Sequence, residues 1–164
     1  MRGSKKFRPL PLGKIAAFCY APPALTIDLS DVCIALSGEG AAMRWYLDTQ
    51  TGAALLLNSE YEPAQNGGLT AVQIEADGKR FKRIPAADGK QTLVDMQSFA
   101  AQTADARLKE SLELALAAPH PERRFRAVLG WLPEELSRWH AWRQAQLELR
   151  AKSWLKSLGI SPES

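Results

Sequence analysis

Histidine and cysteine are scarce in this chain, two of each among 164 residues. His120 and His140 are too few for a multi-histidine metal site, and no HExxH, CxxC, nucleophile elbow or lysine-bearing phosphate loop occurs. Cys19 and Cys33 match no metal-ligand spacing and are too few for a disulfide framework, so reduced thiols in a cytoplasmic protein are expected. Long apolar runs are missing too: nothing approaches the roughly 20 residues that a membrane-spanning helix needs. The stretch from Ile15 to Tyr20 is short and broken by Pro22 and Pro23, which argues against a signal peptide, and Phe18 before Cys19 argues against a lipoprotein. The expectation is therefore no metal, no cofactor and no membrane.

Acidic residues are missing from the start of the chain. Arg2, Lys5, Lys6, Arg8 and Lys14 all precede the first acid, Asp28. Taking those five from the 21 basic residues leaves 16 against 18 acidic ones, so the net charge of +3 belongs to a tail. With prolines at 9, 11, 22 and 23, residues 1–24 read as a disordered basic extension. Its alternatives are an arm that touches nucleic acid or anionic lipid, or a segment preceding the true start of translation. Residues 25–160 read as one domain.

Leu25 to Leu36 contains Val32, Cys33 and Leu36 at helical spacing, with Asp28 or Ser30 as the cap. Ser37-Gly38-Glu39-Gly40 then breaks the chain in a turn. Met43, Trp45 and Leu47 alternate with Arg44, Tyr46 and Asp48, which predicts a half-buried strand. Asp48 to Gly52 supplies a turn, and Leu55-Leu56-Leu57 returns as its hairpin partner. Leu69 to Glu75 alternates as a third strand, and Arg80 to Ile84 makes a short fourth one ended by Pro85. Lys79, Arg80, Lys82 and Arg83 form the densest positive cluster of the domain. A charged edge strand is the first reading of it, and a nucleic-acid or anion surface is the second.

Beyond Leu93 the spacing turns helical. Leu93, Met96, Phe99 and Ala100 predict one helix capped by Thr92, while Leu108, Leu112, Ala115 and Leu116 predict a second starting near Thr103 or Asp105. Phe125, Val128, Leu129 and Leu132 predict a third. Pro133 then opens a helix running to about Leu158 and closed by Gly159, roughly 35–40 Å long. Glu134 and Glu135 suit its positive N-terminus; Glu60 and Glu62 lie in a loop, and neither pair is assigned catalysis. Leu136, Leu147, Ala151, Trp154 and Leu158 share a face of the long helix, with Trp139 on its flank and Trp142 and Leu149 on another side. Arg143, Arg150 and His140 fall within or beside the buried sector. Internal carboxylate partners from the sheet or hairpin are expected for the two arginines, with an anionic ligand as the alternative; His140 is expected to be an interior or semi-interior histidine, with ligand binding again as the alternative.

Several of these segments together resemble the bacterial Uncharacterised Protein Family 0158. They are Leu25-Thr26-Ile27-Asp28-Leu29, the hairpin from Trp45 to Gly52, Arg80 to Pro85, Arg123-Arg124-Phe125-Arg126, Trp139 to Arg143, and Trp154-Leu155. Two positions depart from the family pattern: Pro119-His120-Pro121-Glu122 replaces a glycine-rich link, and Gln144 stands where an acid is common. The resemblance implies the order of the fold and a bacterial cytoplasmic setting, and it brings no activity with it.

The fold class expected is α+β, with a small, mostly antiparallel sheet of three or four strands over residues 42–84 packed against C-terminal helices. The function expected is non-enzymatic: a binding or regulatory protein that contacts a protein partner or a second copy of itself. Nucleic-acid binding through Lys79, Arg80, Lys82, Arg83 and the tail ranks second. An enzyme acting on an anionic substrate held by Arg143 and Arg150 ranks third.

Overall fold

The computed structural model describes residues 25–38 and 42–161. The basic extension expected over residues 1–24 lies outside them, as do Glu39 and Gly40. Aspartates open three of the helices by accepting a backbone N–H that would otherwise go unpaired. Asp28 accepts from Ser30 and starts α1 (Leu29–Ser37), Asp88 accepts from Lys90 and starts α3 (Gly89–Ala101), and Asp105 accepts from Leu108 and starts α4 (Ala106–Ala117). The α3 cap thus lies four residues before Thr92, which sits inside the helix and is buried. Proline at the first position opens both α5 (Pro121–Gly130) and α6 (Pro133–Ser157). Gly159, at φ 74°, follows the end of α6 in the left-handed conformation expected of it.

Among the described residues three strands form one antiparallel sheet in the order β2-β1-β3, with β1 (Arg44–Asp48) between β2 (Ala54–Leu57) and β3 (Phe81–Arg83). The hairpin register pairs Arg44 with Leu57 and Leu47 with Ala54. Gly52 closes its turn at φ 81°, and a Cβ there would lie 2.2 Å from the Thr26 carbonyl oxygen. Glycine is thus demanded twice, by conformation and by space. The half-buried strand expected at Met43–Asp48 is covered on both faces. Leu47 joins a core with α1, while Tyr46 packs with Leu57, Ile74 and Phe81 on the other side.

That second cover comes from a correction to the third strand. Ala71–Ala76 is a short helix, α2, preceded by a 3-10 turn at Pro63–Asn66. Thr70 accepts the Gln73 N–H while the Gln73 side chain accepts the Thr70 N–H, a reciprocal cap that overrides the alternating pattern of Leu69–Glu75. Only Ile74 of this helix is buried, and Val72 is left exposed.

Helix α6 joins two cores. Leu147, Ala151 and Leu155 in its second half pack on α1, Leu47 and Ile84. Trp139 in its first half packs with Phe99, Phe125, Leu112 and Leu129 of the α3–α5 bundle. No helix among the described residues is long and apolar enough to cross a membrane.

Candidate functional site

Where α6 passes from one core to the other, its surface opens into a cavity of about 270 Å³. Two helical stripes make the walls. Arg143, Leu147, Arg150 and Trp154 follow one face of α6, and Asp88, Gln91, Thr92 and Asp95 follow one face of α3. The end of α1, at Leu36 and Ser37, and the linker Pro85–Ala87 complete it.

The two arginines expected on the buried side of α6 both reach this cavity, in different states. Arg150 forms a two-pronged pair with the buried carboxylate of Asp95, with Nη1 to Oδ2 at 2.8 Å and Nη2 to Oδ1 as the second contact. Gln91 donates to the same Oδ1 at 3.2 Å. The expected internal partner is therefore real for Arg150, but it comes from α3 and not from the sheet or hairpin. Arg143 is half-buried and has no hydrogen bond or ion pair among the described residues. His140 is exposed and does not line the cavity, which corrects its interior placement. Helical spacing put it near the buried sector, but its side chain is exposed while Leu136, one turn earlier, is half-buried.

Thr92 is only 5% exposed, and its hydroxyl makes no hydrogen bond among the described residues. The other lining hydroxyl and carboxylate groups are engaged within the fold. Asp88 caps α3, Asp95 is paired, and the Ser37 hydroxyl donates to the Ile34 carbonyl oxygen. Among the described residues no group of three or more His, Cys, Asp or Glu is placed to hold a metal ion. Cys33 is buried, and desolvation pushes its thiol up, which suits a core residue more than a reactive one.

The basic cluster at the sheet edge is largely committed to the fold. Arg80 donates to buried Asp48 through Nε at 3.0 Å and Nη2 at 2.7 Å, and the Lys82 ammonium donates to the Gly78 carbonyl oxygen. Lys79 and Arg83 remain exposed. Burial pushes the Asp48 carboxyl up. The Arg80 hydrogen bonds, the Gln50 N–H, the Thr51 side chain and the Arg80 charge outweigh burial and hold it below its ordinary value. A carboxyl depressed in the fold adds stability above its unfolded value, near pH 4, and that contribution is lost as pH falls through the lower folded value. Asp48→Asn is accordingly expected to lose about 2 kcal/mol at neutral pH and to show a flatter decline in stability below about pH 4. Urea unfolding across that range is the measurement; equal acid sensitivity in parent and variant would contradict the assignment.

The surface offers one further feature that periodicity did not single out. Trp131, after the end of α5, is 87% exposed, and its neighbour Leu132 is 41% exposed. Asp95, Gln91 and Thr92 were missed as well. Their signal was the polar stripe 88-91-92-95 running along a helix that was otherwise read for its apolar positions.

A short antiparallel sheet packed with helices, with an arginine-lined cavity beside the longest of them, defines an α+β protein. The chain belongs to the uncharacterised protein family UPF0158, whose model matches residues 23–163. No curated protein and no solved structure gives a significant match.

Proposed function

We propose that this chain is a non-enzymatic binding protein of the bacterial cytoplasm, and that it docks a protein partner through the corner between α5 and α6. The observation that carries this reading is Trp131. An indole left 87% exposed contributes little to the fold, yet with Leu132 it presents the kind of large, rigid apolar anchor that dominates protein interfaces. Glu134 and Glu135 stand beside it and supply a polar rim. The nucleic-acid alternative is weakened because Arg80 and Lys82 are occupied within the fold, which leaves Lys79 and Arg83 at the sheet edge.

The test separates folding from contact. Trp131→Ala is expected to leave unfolding stability within about 0.5 kcal/mol of the parent, as surface changes do. It should abolish concentration-dependent self-association seen by sedimentation. If the full chain is monomeric, the contact to look for is a discrete crosslinked adduct formed in the native host from a photoreactive residue at position 131. A chain that neither self-associates nor crosslinks from that position would overturn the reading.

A further inference from the structure

The cavity beside α6 calls for a ligand of its own, independent of the Trp131 surface. Two polar groups in its wall lack partners among the described residues: the Arg143 guanidinium and the Thr92 hydroxyl. No wholly occluded side-chain polar atom lacks a partner among those residues. The Thr92 hydroxyl must therefore face open space, and the cavity is the space Thr92 lines. A hydroxyl facing a partly apolar cavity is available to donate to an acceptor placed there, and a guanidinium half removed from water gains from an anion opposite it.

We infer that this cavity binds a small monocarboxylate with an apolar body, its carboxylate held by Arg143 and Thr92 and its body against Trp154 and Leu147. Charge sets the first part of that description. Arg150 is neutralised by Asp95, so among the described residues the lining offers one uncommitted cation, and the Asp88 carboxylate repels a second negative charge. A phosphate dianion is poorly matched to this balance, whereas a planar monoanion fits the two-pronged geometry of one guanidinium. Size and polarity set the second part. About 270 Å³ falls near the lower end of small-molecule pockets. The space would hold about nine waters at their liquid volume, but the side chains of Leu36, Pro85 and Leu147 offer such waters no hydrogen bonds. An apolar body displaces that water favourably.

The experiment is calorimetry and thermal shift on the full chain with benzoate and hexanoate, using acetate, inorganic phosphate and sulfate as comparators. Saturable binding of benzoate or hexanoate is expected, with acetate weaker by about tenfold or more for want of a body. Phosphate and sulfate should give no saturable effect. Arg143→Gln should weaken binding roughly tenfold or more, Arg143→Lys should weaken it less, and Thr92→Val, which exchanges only the hydroxyl for a methyl, should weaken it severalfold. Should Arg143→Gln fail to fold, Thr92→Val still decides. Glu39, outside the described residues, is two residues beyond Ser37 in the sequence, and Glu39→Gln is expected to change neither stability nor binding. The inference is overturned if neither apolar monocarboxylate binds, if binding survives Arg143→Gln undiminished, or if phosphate binds as well as benzoate. It is equally overturned if Glu39→Gln loses stability and gains affinity, since an internal carboxylate would then be the occupant of the site.

Discussion

Trp139→Ala is expected to lower the unfolding free energy by about 3–5 kcal/mol, the cost of truncating a fully buried large aromatic. Trp139 is 2% exposed and sits at the centre of an aromatic cluster. Its ring lies 5.0 Å from that of Phe125 and 5.2 Å from that of Phe99, both edge-on, and stacks on Trp142 at 5.7 Å. Such contacts add to the area effect because ring edges and faces carry opposite partial charge. The cavity left by alanine would be bounded by helices α3, α5 and α6, whose backbones cannot close on it without disturbing one another. Urea denaturation followed by circular dichroism is the measurement. A loss below about 1 kcal/mol, the range of surface substitutions, would contradict the packing. Trp131→Ala serves as the comparison, because the two tryptophans differ chiefly in what covers them.

The second large effect is expected at Arg150. Arg150→Met should cost roughly 3 kcal/mol, the low end for breaking a buried ion pair, because one third of the arginine side chain remains exposed while the Asp95 carboxylate is nearly enclosed. The loss arises mainly from the orphaned acid. A double variant, Arg150→Met with Asp95→Leu, should therefore recover much of the stability, since an apolar pair replaces an ionic one. Arg143→Met is expected to behave in the opposite way and to leave stability unchanged or slightly raised, because no described partner is orphaned. Equal losses at both positions would show that Arg143 is also paired within the fold.

Local chemistry explains which elements were legible. Asp28 and Asp105 mark helix starts because a carboxylate on a short side chain finds the free N–H groups without help from the rest of the chain. Asp48 to Gly52 marks a turn because one residue must take a positive φ. The Leu69–Glu75 segment shows the limit of this reasoning. Its alternation suits a strand, but the Thr70–Gln73 box closes a helical turn first, and only one of its apolar residues needs burial.

The sequence by itself determined the hairpin, the helical second half, the terminator at Gly159 and membership of the family, since each rests on residues within a few positions of one another or on their order along the chain. It also placed Arg143 and Arg150 on the inner side of α6. Tertiary structure alone decided their fates. Asp95 stands 55 residues from Arg150 and meets it only because α3 packs against α6. Arg80 reaches Asp48 only because β3 pairs with β1, which turns a candidate binding cation into part of the fold. Periodicity reports how apolar one face of an element is, whereas the identity of the group facing it depends on how distant elements dock. That is why Arg150 is closed by a carboxylate while Arg143, two turns away on the same helix, opens onto a cavity.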